Sequence, residues 1–280
     1  SDVYKRQNRE TAEEIFRVAR ETGYLSANAV TKIRLVIFKK NGQILEETPF
    51  FQQMIEGIEE ECHRLGYEMV ISHVDQRNPN YQKQVRDLLE EQGVGIILLG
   101  TEMMDGDLSL YRNASCPVLL LDHWTESMDF NSVLINNADA ARAITEHLLD
   151  NGHREVGYLR GNYRIKAFRS RFIGFQTALK KYKVPYKEEY TVTVGTYMST
   201  ACQDMLEYLK KKPKLPTAFF ADNDIIALGA MKALQEMGYR IPEDISIVGF
   251  DDLTFSEISS PPLTTLRAVS YTHLTLPTIA

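Results

Sequence analysis

Nowhere in its 280 residues does the chain run together the roughly 20 apolar residues that a bilayer span requires. Its start carries no signal-peptide pattern, and with that comes an expectation of residence in the cytoplasm. Cysteine is scarce. Cys62, Cys116 and Cys202 are odd in number, far apart and set in apolar or helical text, which suits small buried side chains in a reducing compartment better than disulfides. The six histidines show no metal-ligand spacing with cysteines or carboxylates, so no metal is expected. Glycine-rich phosphate loops and nucleophile elbows are missing as well. Phosphate cradling and triad chemistry therefore lack support, and no cofactor is expected. Excess positive charge is also lacking: a net charge of −6 argues against a broad nucleic-acid-binding surface, while leaving room for a small basic module at one end.

What the chain does have is alternation. Short runs rich in β-branched and aliphatic residues read as buried parallel strands: "IRLVIF", "EMVISHV", "GIILLGT", "PVLLLDHW", "EVGYLRG", "YTVTVGT", "TAFFADN" and "ISIVGFDD". Stretches with helical period separate most of them. Phe51, Met54, Ile55, Ile58, Cys62 and Leu65 make one apolar face, and Ala227, Ala230, Met231, Leu234 and Met237 make another. Gly66, Gly152 and Gly238 stand where helices should stop. The pattern predicts an α/β fold in which residues 32–124 fill one parallel sheet and residues 155–252 a second. "SVLINNADAARAITEHLLDNG" lies between them as strand, crossover and helix. Two doubly wound lobes of this kind place their strand C-termini around a shared cleft, where ligands bind.

The front end differs. "NRETAEEIFRVARETGY" reads as a short amphipathic helix with Ala12, Ile15, Phe16 and Ala19 on one face, a Thr11–Glu14 capping box and a Gly23 stop. Alone in water such a helix is marginal.

Several linked motifs carry a family resemblance from about Asn8 to Arg267. They are "ETAEEIFRVARETGYLSANAV", "TPFFQQMIEGIEEECHRLGYEM", "GHREVGYLRG", "RSRFIGFQTAL", and "PTAFFADNDIIALGAMKALQEMGYRIPEDISIVGFDD" followed by "SSPPLTTLR". In this order and spacing the chain resembles the LacI-type transcriptional regulators. The resemblance implies two periplasmic-binding-protein-like (type I) lobes around a ligand cleft, preceded by the last helix of a helix-turn-helix headpiece. Its implied domains are headpiece remnant and linker at 8–30, N-terminal lobe at 31–136, C-terminal lobe at 137–266 and the start of a crossover from 267. Its implied partners are a small sugar-like effector, operator DNA through the headpiece, and a second copy of the chain.

The resemblance also implies effector-binding positions. Asp251, after the strand "SIVGF", offers a carboxylate that can accept two ligand hydroxyls. Arg171 offers a planar fork to ligand oxygens or to Asp251. Asn223 and Asp224 follow a strand and open a helix, so one contacts ligand and the other caps; Asn223 is assigned to the ligand and Asp224 to the cap. Asp122 is balanced between ligand contact and a lobe–lobe salt bridge. Of Phe50 and Phe51, one belongs to the core and the other to a ligand face. Tyr197 matches a family position where an aromatic lines the cleft. Trp124, the only tryptophan, has no motif support as a stacking platform. Arg169 reads as a solvated arginine, and His153 as bonded to nearby backbone. In the headpiece remnant, Asn8, Tyr24 and Asn28 fall on DNA-binding text.

Two departures qualify the resemblance. Only eight residues separate Tyr24 from Ile33, too few for the family's hinge helix, which kinks DNA from the minor groove. The reading helices that should precede Asn8 are replaced by "SDVYKRQ". That heptapeptide and the terminal "VSYTHLTLPT" can be back-translated so that one is the reverse complement of the start of the other. Both resemble a transposon-end adapter used in sequencing libraries. Residues 1–7 and 269–278 are therefore expected to be translated adapter, in a chain truncated at both ends, with 269–280 irregular and exposed. The reading is a ligand-responsive DNA-binding repressor and not an enzyme. The alternatives are a sugar-binding transport protein with the same core and, third, an α/β enzyme acting on a sugar.

Overall fold

Burial on both faces is what the apolar runs require, and parallel sheets sandwiched between helices supply it. The computed structural model describes residues 30–45, 50–127 and 130–267. The expectations for the adapter text, for the headpiece helix with Asn8, Tyr24 and Asn28, and for 269–280 lie outside the described residues.

Five strands form the first sheet: β1 (Lys32–Lys39), β2 (Glu68–Asp75), β3 (Val94–Leu99), β4 (Val118–Leu121) and β5 (Asn131–Val133). Their order is β2-β1-β3-β4-β5, every pairing parallel. The second sheet takes β6 (Val156–Gly161), β7 (Thr191–Val194), β8 (Ala218–Ala221) and β9 (Ser246–Val248) in the order β7-β6-β8-β9, again all parallel. The four strands of the second sheet match the first four of the first sheet in order, as in a duplicated unit, and β5 is the added edge. Each has a switch point beside its first strand, the place where open α/β sheets bind ligands at their carboxyl ends.

The first sheet reaches further than residue 124, because "SVLINN" contributes β5 to its edge. The chain then changes lobe across residues 134–136 and enters helix α3 of the second lobe. The helices are α1 (Phe50–Leu65), α2 (Tyr81–Leu89), α3 (Asn137–Asp150), α4 (Lys166–Lys181), α5 (Met198–Lys210), α6 (Asp224–Glu236) and α7 (Thr254–Ile258). Phe51, Met54, Ile58 and Cys62 of α1 are buried as their spacing predicts, while Leu65 at the last position is exposed. In α6, Ala227, Ala230, Met231 and Leu234 are buried, and Met237 past its end is exposed. Gly66, Gly152 and Gly238 take φ of 78°, 92° and 86° where helices stop, the left-handed turn of a C-terminal cap.

One close approach positions the site. A Cβ on Gly174 of α4 would lie 2.1 Å from the Ala138 carbonyl oxygen of α3. Only glycine lets the two helices meet there. Arg171, one turn earlier on the same face of α4, is thereby brought against Asn137 at the start of α3. An apolar cluster continues across both lobes, from Phe51, Leu99 and Leu121 to Phe168 and Phe250.

Candidate functional site

Arg171 ties together the C-terminal ends of β8 and β9 in the second lobe. It is only 5 % exposed, and its guanidinium donates to three parts of the chain. Nε reaches Asn137 Oδ1 at 2.9 Å, one terminal nitrogen the Asp222 carbonyl at 2.6 Å, and the other Asp251 Oδ1 at 3.1 Å. The guanidinium also stacks 3.7 Å from the Phe250 ring centroid. Buried guanidinium charge is costly unless paired and hydrogen-bonded, and here each of its three nitrogens donates one bond, one of them to a carboxylate. Of the two roles implied for Arg171, the structure displays the bond to Asp251.

Asp251 follows β9 at φ 118°, a backbone region that side chains other than glycine's rarely adopt. Burial pushes its carboxyl up to about 7; Arg171 lowers it, while Asp224 and Asp122 raise it further. Asp122 ends β4 of the other lobe, also at positive φ (57°). Its Oδ2 accepts from the Thr101 hydroxyl at 2.7 Å, and burial raises its carboxyl against the pull of Thr101 and Arg171. Both carboxylates thus stand at strand ends, one from each lobe, near enough to sense each other's charge. Of its two readings, Asp122 makes no salt bridge among the described residues. Among the described residues, the ion pair that crosses between the lobes joins Lys166 to Asp105 instead.

The neighbouring pair Asn223 and Asp224 exchange their expected capping roles. Asn223 is the N-cap of α6, its Oδ1 accepting from the Ile226 amide at 3.0 Å. Its side-chain NH2 takes no part in that cap. Asp224, fully buried, caps nothing. It accepts from the Leu253 amide (2.9 Å), Ser256 Oγ (2.6 Å) and Thr265 Oγ1 (2.5 Å), clamping the segment that leaves β9. The reason is direction: a residue at the first helical position points its side chain back over the sheet's end, where that segment passes. Phe51 is the core member of its pair, 7 % exposed and packed in the shared core; the side chain of Phe50 lies outside the described residues. Tyr197, half-buried, precedes α5 at the C-terminal end of β7, on the same side as the other candidates. His153 bonds the Thr217 hydroxyl through Nδ1 at 2.9 Å rather than backbone.

Sequence reasoning missed two buried acids. Asp222 accepts from Tyr158 Oη, the Gly161 amide and Arg164, closing the wall between β6 and β8. Its signal was the first of the three acid-or-amide positions of "FFADND". Glu102, 0 % exposed, takes the backbone amides of Lys40, Asn41 and Gly42 on Oε2 and that of Ile44 on Oε1, at 2.8 to 3.1 Å. It fixes the loop between β1 and α1 on the first lobe's side of the cleft, and nothing local in the sequence marks it. Among the described residues no group of three His, Cys, Asp or Glu could hold a metal ion, and no helix is long and apolar enough to cross a membrane.

A family profile for the periplasmic binding protein-like domain matches residues 145–269. The HTH-type transcriptional repressor PurR of Mannheimia succiniciproducens is 30 % identical over 262 residues, 92 % of this chain and 78 % of that protein. Its counterpart in Haemophilus influenzae (strain Rd) is 29 % identical over 263 residues, 92 % of this chain and 77 % of that one. Among solved structures, a LacI transcriptional regulator from Bacillus cereus subsp. cytotoxis superposes with a TM-score of 0.76 at 28 % identity, covering 86 % of each chain. The transcriptional regulator CelR in complex with cellobiose gives 0.72 at 26 % identity, covering 91 % of this chain and 78 % of CelR. Identity at this level, sustained along both lobes and joined to the same paired-sheet architecture, leads to one assignment: the chain belongs to the LacI-type transcriptional regulators.

Proposed function

We propose that the cleft binds a small neutral polyhydroxyl effector, a sugar or sugar derivative, and that its occupancy controls DNA binding by a homodimeric repressor. The observation that carries this reading is charge bookkeeping at the strand ends. Asp122 and Asp251 face the cleft from opposite lobes, while Arg171 and Arg164 are consumed by Asp251, Asp222 and backbone. An anionic ligand would meet carboxylates with no uncommitted cation among these residues. A polyol offers them hydroxyl donors, and each charge-assisted bond of this type is roughly twice as strong as a neutral one. Asn223 and Tyr197 complete the second lobe's side of the site.

The response follows from differential affinity. A ligand held by one carboxylate from each lobe stabilises the arrangement that brings both within reach, and only that difference can move the equilibrium. The CelR structure, determined with the neutral disaccharide cellobiose, fits a cleft of this chemistry. DNA is contacted through a headpiece whose last helix the segment 8–30 resembles, not through 8–30 alone, and the protein acts in the cytoplasm. A second copy docks on the patch formed by Met237, Tyr239, Phe255 and Ile258, all exposed (Ile258 74 %). A bond from Gln235 Nε2 to the Ser260 carbonyl, 2.6 Å, ties the two halves of this patch together.

Titration calorimetry against neutral sugars, nucleosides and sugar phosphates tests the ligand class. Neutral sugars should bind, and Asp251→Asn should weaken them. Tight binding of a sugar phosphate with no binding of any neutral sugar would sink the reading.

A further inference from the structure

Away from the carboxylates, one side chain spans the two lobes. Lys166 is the first residue of α4 in the second lobe, and its side chain is 13 % exposed. Its ammonium bonds Asp105 Oδ1 at the start of the 3-10 turn Asp105–Leu110 of the first lobe. It also donates to the Trp124 carbonyl at 2.6 Å and sits 5.0 Å from the centroid of the Trp124 ring. All three partners belong to the first lobe. We propose that Lys166 is an inter-lobe latch: its ammonium, seated in a socket made of Asp105 and Trp124, holds the lobes together before any effector arrives and so sets the affinity with which effector is taken up.

The socket is built for a cation. Its three components differ in kind, and a lysine ammonium has three donors to satisfy. The indole is the best aromatic face for a cation, and the interaction strengthens when water is excluded, as the shallow exposure of Lys166 requires. Among the described residues Asp105 has one other candidate partner. His123 is fully buried, with Nε2 3.9 Å from the same Asp105 oxygen. Burial, reinforced by Lys166, lowers its pKa to about 4, so at neutral pH it carries no charge to compete for Asp105. The Asp105 side chain is 58 % exposed, so the ion pair alone is worth little in water. The carbonyl bond and the ring face are what make the contact specific to a charge at this place.

A latch of this kind acts through populations. If effector is captured by the closed arrangement, losing the latch reduces the closed fraction and weakens apparent affinity in proportion. That last step rests on the effector reading above; the latch itself does not, and it can be measured with no ligand present.

Trp124, the single tryptophan, reports on its own socket. In the ligand-free full chain, acrylamide quenching of its fluorescence and the radius of gyration from small-angle scattering would be compared among the unaltered protein, Lys166→Met, Lys166→Arg and Asp105→Asn. The last leaves the indole untouched and alters an exposed side chain, so it keeps the test open should Lys166→Met fail to fold. Lys166→Met and Asp105→Asn should raise the quenching constant about twofold and enlarge the radius, with Lys166→Arg close to the unaltered protein. Where an effector is in hand, Lys166→Met should weaken it roughly three- to tenfold. Unchanged quenching and radius in both Lys166→Met and Asp105→Asn overturn the latch. So does a rise in quenching with no change in radius, which would mean that only the local packing of Trp124 had loosened.

Discussion

Replacing Arg171 with methionine removes the fork and keeps the stem, and the structure gives the size of the effect. Two acceptors lose their donors: Asn137 Oδ1 and the Asp222 carbonyl, both in buried surroundings. Each unsatisfied group costs about 1–3 kcal/mol, so roughly 2–6 kcal/mol is lost at any pH. The third partner adds a term that depends on pH. Asp251 already titrates at about 7 in the fold, against about 3.9 when unfolded. A raised carboxyl destabilises the native state progressively as pH climbs from the unfolded value to the folded one, and the loss stops once the folded group ionises. Without Arg171, the neighbour that lowers it, the carboxyl moves higher still. Below pH 7 both proteins hold the proton and differ only by the two orphaned acceptors. Above pH 7 the variant continues to lose stability while the parent does not, by about 1.4 kcal/mol per pH unit. At pH 8.5 the gap should therefore exceed that at pH 6 by up to about 2 kcal/mol. Urea unfolding followed by circular dichroism at the two pH values measures it, with Asp251→Asn in the same background as the control that should flatten the difference. A destabilisation equal at both pH values, or larger at pH 6, would refute the reasoning.

Other outcomes follow from the same coordinates. Effector binding that uses ionised Asp251 should weaken about tenfold per pH unit below about 7, and a flat calorimetric profile from pH 5.5 to 8 would exclude that carboxylate as an acceptor. Gly174→Ala drives a methyl against a backbone oxygen that cannot step aside, so α3 and α4 must part at a cost of about 1–3 kcal/mol. Its thermal midpoint should drop by several degrees, and an unaltered melt would show that the helices have slack. Glu102→Gln replaces an acceptor oxygen with an NH2 that faces other donors, and should cost about 2–4 kcal/mol. Hydrogen exchange should then accelerate at the amides of Lys40, Asn41, Gly42 and Ile44; continued protection there would mean that the loop holds itself.

How far the sequence could be read depended on the range of the interaction. Buried strands announce themselves over four to eight residues, because burial on both faces leaves no room for polar ones. β5 was legible as a strand in "SVLINN" but not as part of the first sheet; pairing with β4, which no local pattern encodes, puts it there. The candidate carboxylates were readable as strand-end positions, but their partners were not. Arg171 is 34, 51 and 80 residues from the groups it bonds, and no local pattern encodes a contact at that separation. Adjacent residues set a further limit. Asn223 against Asp224, and Phe50 against Phe51, differ in role by which way a side chain points at a helix start, and that is decided by what packs above it. Glu102 is the extreme case: its function is to hold amides whose side chains could be of almost any type.

Asp122 holds a left-handed backbone angle and a largely buried carboxylate with no cation bonded to it. Neither helps the fold. Asparagine tolerates the same angle, could accept from Thr101 and would carry no charge. In a library selected for heat resistance alone, Asp122→Asn should therefore rise early, and the survivors should respond poorly to effector. A family of such regulators adapting to hot habitats could not take that route, and would have to find its added stability in the cores of the lobes, away from the place where they meet.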